Sequence, residues 1–320
     1  MAWSTAHVPG LSGRTVLVTG ASGGIGRETV RVLAAHGAHV VLACRSTERG
    51  QEVAAWAGGS TEVLELDLAS LDSVRRAAAR VRDRHGRLDL LVNNAGVMFP
   101  SYGRTADGFE AHFGVNHLGH FALTGLLLDL MTAVPGSRVV TVGSLAHRAA
   151  FGRLDADRAR SASGRRSVTA YGRSKLANLL FARELERRLT AAGATTLSVA
   201  AHPGLSPTAL WHGDPPALLR PVVAAGMRWL AQPPEAAALP SLRAATAPRV
   251  PGDYLGPARR FGSRGAPVPA RSSRAARDTA AQARLWELSE ELTGVRYDFP
   301  FAPAPVEPIV GVCPVTGARG

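Results

Sequence analysis

Thr15-Val16-Leu17-Val18-Thr19 runs directly into Gly20-Ala21-Ser22-Gly23-Gly24-Ile25-Gly26, and this stretch decides the fold. A short, continuously apolar run predicts a strand covered on both faces, as in a parallel sheet. The glycines predict a tight turn, and the pattern through Val30, Val32 and Leu33 predicts a helix that stops at Gly37. His39-Val40-Val41-Leu42-Ala43 is the second strand. Strand, glycine turn, helix and strand in about thirty residues make a nucleotide-binding βαβ unit. Glycines let the backbone approach a pyrophosphate at the helix N-terminus, where free N–H groups and the dipole favour an anion.

The alternation continues outward. Thr61 to Leu66, Leu88 to Val92, Arg138 to Val142 and Thr195 to Ala201 read as further strands. Ser70 and Asp72 open a helix over Val74 to Arg84. Phe109, Phe113, Val115, Leu118, Phe121 and Leu123 mark another helix, and Ala280 to Leu292 a final one that ends at Gly294. The pattern predicts an α/β protein with a doubly wound Rossmann fold, its mostly parallel seven-stranded sheet covered by helices on both faces. Residues 1–12 read as an irregular lead-in and 13–298 as a single domain. Gly262 to Ser273 reads as a loop, and the Pro/Gly-rich residues 299–320 as a poorly ordered tail.

The chain has 320 residues, of which 46% are hydrophobic, enough for a full core. It has no apolar run of membrane-spanning length and no signal pattern at Met1 to Gly13, so a soluble cytoplasmic protein without a membrane anchor is expected. The two cysteines exclude a disulfide framework. The net charge of +12 is nearly all arginine, spread along the chain without interleaved aromatics. It reads as a solvated surface bias rather than a nucleic-acid footprint. His112, His117 and His120 lack a cysteine or paired carboxylate to complete a coordination sphere, so no metal is expected.

Tyr171-Gly172-Arg173-Ser174-Lys175 leads into Leu176, Leu179, Leu180 and Leu185 at helical spacing. Tyr171 and Lys175 therefore share a helix face, one turn apart. A free tyrosine has a pKa of about 10, and an ammonium nearby favours the phenolate, which would make Tyr171 a general acid/base. The alternative is a pair of surface residues. Past the second strand, Ala43-Cys44-Arg45-Ser46 lacks the acid that would accept a ribose 2′-hydroxyl. Arg45 suits a 2′-phosphate, which points to NADP(H) over NAD(H). Arg27, directly after the last glycine, could add to this, although a solvated helix residue is the expectation.

Gly20, Gly24 and Gly26 form Thr-Gly-x-x-x-Gly-x-Gly, and with a downstream Tyr-x-x-x-Lys this resembles the short-chain dehydrogenase/reductase superfamily. Asn93-Asn94-Ala95-Gly96 matches the family's Asn-Asn-Ala-Gly. Asn116-His117-Leu118-Gly119-His120, Ser144-Leu145-Ala146-His147 and Ala43-Cys44-Arg45 look like the branch of retinol dehydrogenases and their bacterial relatives, as does Gly252 to Pro257 as a last strand.

The resemblance implies a tetrad of Asn116, Ser144, Tyr171 and Lys175. It implies cofactor contacts from Gly20, Ser22, Gly24, Ile25, Gly26, Arg45, Asp67, Leu68, Asn94, Ala95, Gly96, Tyr171, Lys175, Pro203, Gly204 and Thr208. Asp67 would meet the adenine amino group, although a helix cap is the bland alternative, and Asn116 would hold a water near Lys175. A lid over about 205–232 and a homodimer through the helices of Asn116 and Tyr171 are family habits. The implied activity is NADP(H)-dependent interconversion of a small apolar carbonyl and its alcohol. A non-catalytic NADP(H)-binding regulator on the same fold is the alternative, and it would bind cofactor without turnover.

Overall fold

Strand and helix alternate into one open sheet of eight strands, in the order β3-β2-β1-β4-β5-β6-β7-β8. The computed structural model describes residues 2–98, 100, 103–150, 155, 159–161, 168–205, 231–248 and 254–299. The strands are β1 Thr15–Thr19, β2 His39–Cys44, β3 Ser60–Glu65, β4 Leu90–Asn93, β5 Arg138–Val142, β6 Leu197–Ala201, β7 Tyr254–Arg259 and β8 Arg264–Pro269. The pairings from β3 through to β7 are parallel, and β8 alone runs antiparallel. Seven strands were expected, and the eighth lies in the stretch read as a loop. Pro267 and Pro269 disguise it, because prolines are tolerated only where one strand edge needs no donor, as at the rim of a sheet.

Two apolar layers cover the faces. Under one lie α1 (Gly24–Ala35), α2 (Thr47–Ala57) and α6 (Pro234–Thr246). Under the other lie α3 (Leu71–Arg84), α4 (Gly119–Leu127), α5 (Val168–Ala191) and α7 (Thr279–Thr293). Burial on both sides explains why β1 and β5 read as unbroken apolar runs. Ser70 caps α3 by accepting from Ser73 N at 3.3 Å, and Asp278 caps α7 by accepting from Ala281 N at 3.0 Å. The lead-in is not loose: Val8 and Leu11 are buried in the first layer, and Leu11 N donates to His36 O at 2.7 Å.

The strand order reverses between β1 and β4, where the chain leaves the sheet to opposite sides and opens a crevice at the strands' carboxyl ends. Helix α7 and the residues after it cover the outer side of α4 and α5. Trp286 stacks on Phe181 at 5.9 Å and meets Phe121 edge-on at 5.2 Å, while Tyr297 Oη donates to Phe121 O at 2.6 Å. Among the described residues no helix is long and apolar enough to cross a membrane. The lid and the tail fall on residues that, apart from 205, 231, 232 and 299, lie outside the described ones.

Candidate active site

The crevice is walled by the turn after β1 and the loop after β4. At Gly20, φ is +64°, and a β-carbon there would come within 2.9 Å of Ala95 Cα. At Gly26 a β-carbon would drive into Gly20 O and come within 2.6 Å of Asn94 Nδ2. Only glycine lets the two loops and the first turn of α1 close on one another. Ser22 and Gly24 are half-buried on this turn, and Ile25 packs into the core below. The N-cap of α1 is Gly23, with no side-chain cap and no acid in the first turn, so its N–H groups are left for an anion.

Thr19 ties the crevice together. Its hydroxyl accepts from Asn94 N at 2.9 Å and Ala95 N at 3.0 Å, and it meets His120 Nε2 at 2.8 Å. His120 Nδ1 lies 3.0 Å from Asn116 O; a carbonyl can only accept, so Nδ1 carries the proton and Nε2 accepts from Thr19. Burial pushes His120 down to about 4, so it is neutral at physiological pH. Neither Thr19 nor His120 was singled out from sequence as a site residue. The spacing of Asn116 and His120, four apart and so on one helix face, is the signal that points to them.

Asn116 lies in a π-helical turn, Gly114–Leu118, where α4 begins. Such turns interrupt the regular ladder and are frequent at functional sites. Its Oδ1 accepts from Val97 N at 2.7 Å, and its Nδ2 donates to Val97 O at 3.1 Å and Ser174 Oγ at 2.9 Å. Both amide donors are thus engaged within the protein, and the side chain clamps the end of the Asn-Asn-Ala-Gly loop to α5. A water on Asn116 would have to sit on its main-chain carbonyl.

Ser144 follows β5 and opens a turn of 3₁₀-helix, Leu145–Ala149. Its Oγ accepts from Ala146 N at 3.1 Å, and its carbonyl accepts from His147 Nδ1 at 2.6 Å. Gly172 lets α5 approach this turn, since a β-carbon there would lie 2.7 Å from Ala146 O. Tyr171 is buried beside Ser144. Burial pushes its phenol up to about 12, against the effect of the Ser144 hydrogen bond, which favours the phenolate. Lys175, whose Nζ lies 5.9 Å from the Tyr171 ring centre, was expected to lower Tyr171; the phenol is instead raised, by desolvation.

Lys175, the only lysine in the chain, is 3% exposed, and burial lowers it to about 8. Its Nζ donates to Val142 O at 3.0 Å. At Gly96 a β-carbon would sit 3.3 Å from both Lys175 Nζ and Asn116 Oδ1, so the glycine keeps a hollow open beside the ammonium.

The remaining sequence-predicted residues fall around this crevice, with one exception. Arg45 is exposed just past the carboxyl end of β2. Asp67 Oδ1 accepts from Ala69 N at 2.9 Å, a local turn bond, and Leu68 packs against Gly119 at the start of α4. Pro203 and Gly204 follow β6, where Pro203 O accepts from Gln232 Nε2 at 2.8 Å. Thr208 lies outside the described residues. Arg27 is not solvated as expected: its guanidinium lies 3.7 Å over the Trp56 ring, and its Nε is buried without a hydrogen-bond partner.

Fold and site define an α/β protein with a glycine-rich turn at its switch point, and a half-buried serine beside a buried tyrosine and lysine. The short chain dehydrogenase family profile matches residues 14–156. Human retinol dehydrogenase 13 is 40% identical over 309 residues, covering 91% of this chain and 87% of that protein. An uncharacterized protein from Mycobacterium Paratuberculosis, known from its crystal structure, is 43% identical with a TM-score of 0.76, covering 93% of this chain and 100% of that one. Pseudomonas aeruginosa RhlG, in an NADP active-site complex, is 28% identical with a TM-score of 0.56, covering 74% of this chain and 91% of that one. The chain belongs to the short-chain dehydrogenase/reductase family, whose members are oxidoreductases acting on alcohols and carbonyls.

Proposed function

We propose that the protein is an NADP(H)-dependent oxidoreductase that interconverts an apolar aldehyde or ketone and its alcohol, with Tyr171 as general acid/base. The observation that carries this reading is the meeting of Ser144, Tyr171 and Lys175 at the end of β5, beside the crevice lined by Gly20 to Gly26 and Asn94 to Gly96. The residues fit a dinucleotide phosphate: the uncapped N-terminus of α1 would take the pyrophosphate, exposed Arg45 a 2′-phosphate, and Lys175 beside the Gly96 hollow the ribose hydroxyls. When bound, the nicotinamide supplies or accepts the hydride.

Everything else falls to the chain's own side chains. A phenol held at about 12 is protonated at physiological pH, the form that can give its proton to a carbonyl oxygen during reduction. The Ser144 hydroxyl would hydrogen-bond the same oxygen as charge develops on it. In oxidation Tyr171 must become phenolate, and the Ser144 hydrogen bond together with a protonated Lys175 would stabilise that form. The proton then leaves through Lys175, whose pKa near 8 lets it change state close to neutrality. An apolar substrate agrees with the resemblance to retinol dehydrogenase 13.

The test is a fluorescence titration with NADPH and then NADH, followed by turnover assays on apolar aldehydes, with wild type beside Tyr171→Phe. NADPH binding by both proteins, with turnover lost only in the variant, is the expected result. Equal turnover would remove Tyr171 from the chemistry, and binding without turnover on any carbonyl would favour the regulator.

A further inference from the structure

The amino ends of β2 and β3 lie at the opposite edge of the sheet from the crevice, and there three side chains converge that the proposed reaction does not use. His39 opens β2, Glu62 lies within β3, and His85 caps the carboxyl end of α3. The parallel register sets His39 across from Ser60 and Val41 across from Glu62, so His39, Ser60 and Glu62 share one face of the sheet. On that face Glu62 Oε2 lies 3.6 Å from His39 Nε2 and 3.2 Å from His85 Nε2. All three atoms fall within 4.8 Å of one another.

We propose that His39, Glu62 and His85 form a zinc site with three protein ligands and a fourth position open to water. Two donors about 2.0–2.1 Å from a tetrahedral zinc lie about 3.4 Å apart, and the separations of 3.2 and 3.6 Å bracket that edge. The third edge is at most 4.8 Å, and a small tilt of the one-third-exposed His39 ring about its bond to Ser60 would shorten it. Two imidazoles and a carboxylate are zinc ligands in kind, whereas magnesium and calcium require oxygens throughout.

The surroundings orient these ligands. His39 Nδ1 is bonded to Ser60 Oγ at 2.7 Å, which leaves Nε2 for the metal. Arg84 grips Glu62 Oε1, which turns Oε2 toward the histidines. Outer partners of this kind hold the ligand tautomer and rotamer in zinc sites. Arg84 also sets a limit, since its charge opposes the cation and keeps affinity below that of a closed four-ligand site. The ion would staple β2 and β3 to the end of α3. The length of β2, about 20 Å at 3.3 Å per residue, separates it from the catalytic crevice. The site acts on stability and leaves the chemistry of Tyr171 alone.

The test uses the full-length, untagged protein, stripped with EDTA and dialysed, then titrated calorimetrically with zinc chloride beside His85→Gln, His39→Gln and Glu62→Gln. Losing an outer-shell partner weakens zinc binding roughly 10–100-fold, and losing a ligand costs at least as much. The expected result is one zinc per chain in the wild type and a rise in Tm with zinc. Affinity should fall about tenfold or more in each variant, and zinc should raise the Tm of the variants less than that of the wild type. Cobalt(II) added in place of zinc should give tetrahedral d–d absorption in the wild type and lose it in His85→Gln. No saturable uptake by the wild type, or stoichiometric uptake unchanged in the three variants, would overturn the site.

Discussion

Replacing Lys175 by methionine removes the group on which the proposed chemistry depends and should make the protein more stable. The ammonium is fully buried, and its pKa falls from 10.5 to about 8 because the folded protein solvates the charge poorly. That displacement costs the folded state about 3 kcal/mol at neutral pH, at roughly 1.4 kcal/mol for each tenfold change. Methionine has similar length and no charge. The bond from Nζ to Val142 O is lost, but Val142 O keeps a donor in Asn178 Nδ2 at 3.1 Å, so no carbonyl is orphaned. A typical bond contributes about 1 kcal/mol, which leaves a net gain of about 2 kcal/mol.

Between pH 8 and 10.5 the folded chain binds fewer protons at this site than the unfolded chain does, so wild-type stability rises with pH across that window. The advantage of Lys175→Met is therefore full below pH 8 and fades as the pH approaches 10.5. Denaturant melts of both proteins at neutral pH and near pH 10, with turnover measured alongside, read out the effect. A variant no more stable than wild type at pH 7, or an advantage independent of pH, would refute the reasoning. Lys175 is the only lysine, so lysine-specific isotope labelling gives one side-chain signal whose titration midpoint is expected near 8.

Arg45→Asp should weaken NADPH binding about ten- to hundredfold, the value of a charge-assisted phosphate bond, and leave NADH binding unchanged or improved; an unchanged ratio of the two affinities would remove Arg45 from cofactor choice. Trp286→Ala empties the aromatic cluster of Phe121, Phe181 and Tyr297 and should cost about 3–5 kcal/mol in a denaturant melt. A loss below about 1 kcal/mol would mean that α7 does not seal the outer side of α4 and α5.

Much of this protein is legible along the chain because its signals are local. A continuous apolar run, a glycine turn and a helical period specify the βαβ unit within a few neighbours, and Tyr171 and Lys175 meet because helix geometry brings residues four apart together. Strand β8 was missed because its prolines signal a loop and only its place at the rim of the sheet makes them tolerable. The pKa of Tyr171 was expected to move down and moves up, because spacing gives the distance to Lys175 but not the desolvation of a buried phenol.

The order of the strands as far as β7, and the residue types of the proposed catalytic cluster, were thus legible in the sequence alone. Tertiary structure decided what depends on contacts between segments far apart in the chain. Packing α4 against β1 joins Thr19 to His120, which holds the carbonyl of Asn116. Setting β2 beside β3 and returning the end of α3 to their amino edge brings His39, Glu62 and His85 together, three residues that share no motif. Spacing along a chain constrains only neighbours within a few turns, whereas burial and convergence of side chains arise only once the sheet has assembled and its helices have packed on it.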